Sequence, residues 1–182
     1  MDDAMAVASE EATEDMYSII GLPAEESVYD PVNVSARRRL PWLLLNLALA
    51  FIAAGVVSRF VDTIEQIAAL AVFMPIVAGQ GGNAGIQTIT LVVREIALGE
   101  VELKDAQRVL VKEISVGLLK GIALGLVVGL IAWVWWHNAW LGLVVGLAML
   151  LNLVVAGFWG AIIPLGLRWL RLDPAVAAGV FL

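Results

Sequence analysis

The sequence predicts an all-α membrane protein: a polytopic helical bundle with four complete transmembrane helices and the start of a fifth. Hydrophobic residues make up 61% of the 182 residues, and the mean hydropathy is +0.91, whereas soluble globular domains are roughly 45–50% apolar. A spanning helix needs about 20 mostly apolar residues, and the chain contains several such stretches. Basic residues gather on alternate sides of these stretches, as expected of helices that cross a bilayer in turn.

Four stretches are long enough to cross the membrane, namely residues 40–57, 63–93, 114–136 and 139–167. The second contains the run PIVAGQGGNAGIQT, residues 75–88, and we predict that its helix is interrupted there because Pro and Gly are poor helix formers. A fifth stretch, residues 175–182, would rise only about 12 Å as a helix, against a hydrocarbon core of roughly 30 Å. We therefore expect the chain to be truncated within its fifth helix.

Positive charge determines the predicted orientation. Basic residues precede the first stretch, separate the second from the third and follow the fourth, whereas Arg59 alone lies in the opposite set of loops. Because positively charged loops stay in the cytoplasm, we predict a multi-pass protein of the cell (plasma or inner) membrane with a cytoplasmic N-terminus. Residues 1–30 are acidic and contain no base, so they form a separate polar unit and not a signal peptide.

The interrupted second stretch is the candidate ion pathway. Irregular backbone at membrane depth survives only where it is buried in protein or lines a wet cavity. Asn83 and Gln87 share a helical face and offer amide oxygens, which suit a hydrated hard cation, or the site could hold an anion at a half-helix N-terminus. The alternative is tight packing through small residues. The predicted pathway residues are Pro75, Gly79, Gly81, Gly82, Asn83, Gly85 and Gln87.

Other polar and small residues in the spans each have two interpretations. Glu113, at the mouth of the third stretch, could attract cations or pair with Lys112 or Lys120. Asn152, inside the fourth stretch, is a second candidate for the pathway, although an interhelical hydrogen bond is the favoured role. Glycine recurs every fourth residue along the third stretch, which predicts close helix packing. These glycines are Gly117, Gly121, Gly125 and Gly129.

The sequence carries no motif of an enzyme or of a nucleic-acid-binding protein. It contains no P-loop, no nucleophile–base pair, no zinc-ligand spacing and no cysteine. We therefore expect neither enzymatic activity nor a nucleic-acid partner.

The glycine run closely resembles a known family signature. FMPIVAGQGGNAGIQTITLVVREIALGE is similar to the second-span signature of MgtE-type magnesium channels, the family that also includes eukaryotic solute-carrier magnesium transporters. Flanking segments agree, with RRRLPWLLLNL entering the first span, KEISVGLLKGIALG opening the third, and GAIIPL and LRLDPAVAAG preceding the fifth. The resemblance extends over residues 37–182.

This resemblance implies a homodimer with five spans per subunit, whose second and fifth helices line one pore at the dimer axis. It makes Asn83 the expected metal ligand, with the family's pore carboxylate lying beyond Leu182. Mg²⁺ would be both the transported and the regulatory ion. Residues 1–30 would be the tail of a cytosolic CBS-like regulatory domain, 31–39 part of a connecting helix, and 40–182 the truncated transmembrane cation-channel domain.

The predicted function is therefore transport of Mg²⁺ across the lipid bilayer through a homodimeric pore lined by the broken second helix. Two alternatives remain open. A helix broken by Gly and Pro at the bilayer centre is also typical of secondary, ion-coupled carriers of divalent cations. In a non-transporting scaffold or sensor subunit, the glycines would serve packing alone.

Overall fold

The computed structural model describes Leu22 and residues 26–172, with the backbone alone at Leu103, and this part of the chain is almost entirely helical. The helices are α1 (Val32–Val57), α2 (Val61–Gln66), α3 (Ala69–Ala97), α4 (Ala106–Trp136) and α5 (Ala139–Trp169), with 3₁₀ turns at Ser58–Phe60 and Leu103–Asp105. Within this described part, four helical segments are long and apolar enough to cross a membrane, which confirms the predicted all-α polytopic bundle. The predicted fifth helix and nearly all of residues 1–30 lie outside the described residues.

The second predicted span is not interrupted at its glycines. α3 runs as one helix from Ala69 to Ala97, through Pro75 and the whole glycine run, so the predicted break at residues 79–85 is wrong. Glycine costs a helix only about 1 kcal/mol relative to alanine, whereas an unpaired backbone group in hydrocarbon costs several. The chain leaves helical geometry instead at Ile67 (φ −129°, ψ 69°), between α2 and α3.

The first span forms one helix with the segment that precedes it. α1 begins at Val32 and continues through Pro41, and it buries no residue against the rest of the described chain. Its first turns are tied to the preceding segment by two ion pairs, from Arg38 to Asp30 at 3.1 Å and from Arg39 Nε to Glu26 at 2.7 Å. The hydrogen bond from Arg39 lowers the pKa of the Glu26 carboxyl. α1 is therefore not packed into the bundle that the other three long helices form.

A two-residue turn joins α4 to α5. His137 ends α4 in the left-handed conformation (φ 50°). The Asn138 side-chain oxygen then accepts hydrogen bonds from the backbone N–H groups of Trp140 (3.0 Å) and Leu141 (3.2 Å). This cap satisfies backbone donors at the start of α5 and reverses the chain, so that α5 returns along α4.

Glycines bring α4 and α5 into backbone contact. A methyl group built on Gly125 would lie 2.6 Å from the Gly146 carbonyl oxygen, and one on Gly117 would lie 2.6 Å from the Leu153 carbonyl oxygen. Such distances leave no room for a Cβ atom, so the helices approach this closely only because glycine is present. The four glycines that the sequence assigns to packing are all buried at this contact, namely Gly117, Gly121, Gly125 and Gly129.

α3 packs on α5 and touches α4 mainly through a few side chains. Apolar clusters join α3 to α5 along much of its length, and these include Ala84 with Met149 and Leu153, and Ile89 and Val93 with Leu167. Near the turn between α4 and α5, the Phe73 and Trp136 rings of α3 and α4 meet edge to face with centroids 5.3 Å apart. α5 is therefore the helix on which both neighbours are positioned.

We expect Gly125→Ala to destabilise the protein by roughly 1–3 kcal/mol, because the added methyl group meets backbone that cannot move aside. Gly55→Ala is the matched control: it lies in α1 with no atom within 4 Å of the added methyl group, so better helix propensity should leave stability unchanged or slightly raised. Thermal unfolding of the detergent-solubilised protein measures both. Equal midpoints for the two variants would contradict the backbone contact.

Candidate functional site

The glycine run divides between two opposite faces of α3. Pro75, Gly79 and Asn83 are exposed, and a methyl group built on Gly79 would meet no atom of another helix within 4 Å. Gly81 and Gly85 are buried, because residues two apart on an α-helix point about 200° apart. The prediction that all of these residues line one pathway is therefore corrected, since Gly81 and Gly85 face α5.

The exposed face of α3 centres on Asn83. Pro75, Gly79, Ile86 and Thr90 share this face and are exposed as well, while Gly82 at its edge is half-buried with no neighbour close to a built methyl group. Within residues 26–172, no hydrogen bond joins the Asn83 side chain to another group. An amide without a partner is costly in hydrocarbon, so this face is suited to water, an ion or another protein surface.

The buried face contains a hydrogen bond between helices α5 and α3. Asn152 Nδ2 donates to the carbonyl oxygen of Val77 at 2.6 Å, and that oxygen has a second lone pair beyond the one used in its own helix. A methyl group on Gly81 would lie 2.7 Å from Asn152 Oδ1 and closer still to its Nδ2. Gly81 thus leaves space for the Asn152 amide, which has the interhelical role and is remote from the face of Asn83.

Glu113 is also separated from the face of Asn83. Its side chain is buried, with one oxygen accepting from Thr88 Oγ1 at 3.1 Å and the other from Lys112 Nζ at 2.5 Å. Thr88 follows Asn83 by five residues, which places it about 140° around α3. The pairing with Lys112 is the alternative that the sequence left open, and the structure does not bring Glu113 to the candidate pathway.

Gln87 lies beside the exposed face, but its amide oxygen has a partner. Lys120 of α4 donates from Nζ to Gln87 Oε1 at 3.0 Å. Sequence reasoning missed this contact and considered Lys120 only as a partner of Glu113. The available signal was a lysine inside an apolar span, which requires a polar partner, but the 33 residues between Lys120 and Gln87 hide which partner that is.

No carboxylate-rich metal centre occurs in the described part of the chain. Residues 26–172 contain no group of three His, Cys, Asp or Glu side chains that could hold a metal ion. Among the described residues, Asn83 offers a cation beside α3 a neutral amide oxygen.

We expect the effects of Gly81→Ala and Asn152→Ala on stability to be strongly non-additive. Gly81→Ala displaces the Asn152 amide and should cost about 1–2 kcal/mol through loss of the interhelical hydrogen bond. Once Asn152 is alanine, the methyl group at position 81 occupies space that the amide has vacated. Adding Gly81→Ala to Asn152→Ala should therefore lower the stability by at most about 0.5 kcal/mol. Thermal unfolding of all four proteins gives the coupling, and strict additivity would refute it.

Comparison with known proteins places the chain in a family. The sequence profile of the MgtE family, described as a divalent cation transporter, matches residues 74–182. The Enterococcus faecalis protein named magnesium transporter MgtE is 35% identical to this chain over its whole length. The Bacillus subtilis protein of the same name is 35% identical over 98% of the chain. The Thermus thermophilus protein of that name is 34% identical over 98% of the chain, and the chain spans 40% of the length of each relative. These similarities show that the chain belongs to the MgtE family of divalent cation transporters.

Proposed function

We propose that this chain forms part of a pore that carries Mg²⁺ across the membrane. The observation that carries the proposal is the face of α3 around Asn83. This face has a polar side chain at its centre and glycines beside it, and no other described helix packs on it, whereas the opposite face packs on α5. The relatives are named as magnesium transporters, which supports Mg²⁺ as the ion. It would be the cargo of this protein, and also its regulatory ion.

The chemistry of Asn83 suits an ion that keeps its waters. Mg²⁺ dehydrates reluctantly and prefers octahedral oxygen. The backbone carbonyls of α3 are engaged in a continuous helix, so the proposed contact is the amide oxygen of Asn83 with the ion's water shell, not carbonyls released by a break. Gly79 and Gly82 have no side chains to narrow the space beside it. A neutral ligand binds weakly enough for the ion to leave, as conduction requires.

A second copy of the chain would complete the pathway. An exposed asparagine facing lipid is unfavourable, and two-fold pairing would let the Asn83 faces of two subunits meet across one aqueous path, because such an interface joins the same surface on both partners. A carboxylate in the segment beyond Leu182 would add the attraction that Asn83 lacks. We therefore include a homodimer in the proposal.

The N-terminal part of the chain is assigned a regulatory role in this proposal. Residues 1–30 would be the tail of a cytosolic CBS-like domain, 31–39 part of a connecting helix, and 40–182 the channel domain. The continuity of α1 from Val32 to Val57 supports a stiff connection between a cytosolic domain and the first span. Arg37, Arg38 and Arg39 at the start of this helix favour a cytoplasmic N-terminus in the plasma or inner membrane.

The carrier alternative is supported less by the structure than by the sequence. Its main argument was a helix broken at the bilayer centre, and α3 is continuous there. The scaffold alternative requires that the Asn83 face have no transport role, which the next experiment tests.

We expect Asn83→Ala and Asn83→Leu in the full-length protein to reduce Mg²⁺ uptake by tenfold or more, because each removes the polar oxygen at the centre of the pathway. Asn46→Ala is the matched control, since Asn46 is also an asparagine within a span but lies on α1, which buries no residue against the bundle. Uptake into proteoliposomes, normalised to assembled protein, gives the comparison. Unchanged uptake by correctly assembled Asn83 variants would mean that Asn83 and the glycines serve only helix packing.

We expect Glu113→Gln to alter stability but not the affinity for Mg²⁺. The variant keeps an acceptor for Thr88 and loses the charge that holds Lys112, so thermal stability should fall by about 1–3 kcal/mol. The Mg²⁺ concentration for half-maximal uptake should stay within twofold of the wild type, because Glu113 lies across α3 from Asn83. A large loss of affinity at unchanged stability would instead assign Glu113 to the pathway.

A further inference from the structure

Lys120 is a charged side chain inside the third span, on α4. Apolar residues and glycines surround it in the sequence LLKGIALG, and a charge at this depth is costly without a partner, which usually marks a functional site. Its partner in the structure is the neutral Gln87 oxygen, 3.0 Å from Nζ. No carboxylate among residues 26–172 lies within 4 Å of this ammonium group, in contrast to Lys112, which pairs with Glu113.

The contact removes Gln87 from the set of cation ligands. An amide side chain binds cations only through its oxygen, and its nitrogen carries two donor hydrogens. Since the Lys120 ammonium already occupies the Gln87 oxygen, a metal ion that approached the same oxygen would meet a fixed positive charge. The sequence had paired Gln87 with Asn83 as a second amide ligand, and the structure places a competing cation there.

The positive charge lies close to the proposed pathway. Gln87 follows Asn83 by four residues, so it is about 6 Å further along the α3 axis and only about 40° around it. α4 reaches this flank of α3 through the long side chain of Lys120, whose stem can lie along apolar surface while its ammonium group extends to a polar atom. An ion beside Asn83 is therefore within about one to two helical turns of the ammonium group.

We propose that Lys120 is a specificity-determining residue that weakens the binding of divalent cations beside Asn83 and so shortens their stay. This inference rests on the proposed function, namely that the Asn83 face lines the ion path. Conduction requires binding that is weak enough to release the ion, and a divalent cation is attracted strongly to any carboxylate that completes the pore. Because Coulomb energy is proportional to ion charge, Lys120 opposes a divalent ion twice as strongly as a monovalent one.

Replacement of Lys120 by neutral residues tests this. Lys120→Met keeps most of the side-chain length without the charge, and Lys120→Gln also keeps a group able to hydrogen-bond Gln87. In the full-length protein in proteoliposomes, both should lower the Mg²⁺ concentration for half-maximal uptake by about tenfold and should lower the maximal rate per assembled protein. Lys120→Arg should resemble the wild type, because it retains the positive charge.

The controls separate charge at the pathway from net charge and from packing. Lys104→Met removes an equal charge from an exposed residue that pairs with Glu102, and it should leave the half-saturating concentration unchanged. Competition by Na⁺ against Mg²⁺ uptake gives a second readout: the fold-change in Mg²⁺ affinity should be about the square of that for Na⁺. A role in packing alone would lower thermal stability without either shift.

Several outcomes would overturn the inference. Wild-type half-saturation in assembled Lys120→Met and Lys120→Gln would do so, and so would failure of both variants to assemble while Lys120→Arg assembles normally, since that result assigns the charge to folding. The result is distinguishable from failure of the proposed function. If Asn83→Ala abolishes uptake and the neutral Lys120 variants keep wild-type affinity, only this inference fails; if Asn83→Ala leaves uptake intact, the pathway itself is misplaced.

Discussion

The hydrogen-bonding requirement of backbone in hydrocarbon governs the rest of this structure. Lipid offers no partner to an exposed N–H or C=O group, so each spanning segment satisfies its own backbone as a helix. This constraint is stronger than the poor helix propensity of the glycine run, and it explains why α3 continues through Pro75 and Gly79 to Gly85. It also leaves side chains and close backbone approach as the means to connect one helix to another or to an ion.

The bundle uses both means. α4 and α5 pack so closely that glycines contact carbonyl oxygens of the other helix, as Gly125 does with Gly146. This contact fixes the position of α5, on which α3 packs. Two polar contacts then position α3, from Asn152 to the Val77 carbonyl and from Thr88 to Glu113. Both contacts lie on one side of α3. The packing on that side fixes the orientation of α3, and Asn83, which takes no part in the packing, lies at the centre of the opposite side.

The charged side chains near α3 differ between its packed side and its exposed side. Glu113 and Lys112 form a pair of opposite sign on the packed side, so together they contribute little net field. Lys120 contacts a neutral amide and contributes a full positive charge near the exposed side. In a cation pathway, such a charge balances the attraction of carboxylates supplied from elsewhere, because an ion that binds too tightly blocks the path that it occupies.

Local sequence was enough to establish the class of the protein and the C-terminal ends of its first, third and fourth spans. The predicted third and fourth spans, 114–136 and 139–167, end within two residues of the C-terminal ends of α4 and α5, although α4 begins eight residues earlier than predicted, at Ala106. Their apolar parts were predictable because lipid requires long apolar segments whatever their neighbours are. The family signature was likewise readable in the order of residues.

The contacts between helices settled which residues of the glycine run face α5 and which do not. Gly79 and Gly81 are two positions apart and chemically identical, and the contact that separates them comes from Asn152, whose hydrogen-bond partner is 75 residues away. Hydropathy and helical period are local properties of the chain, whereas the side of a helix that another helix covers depends on contacts between distant segments.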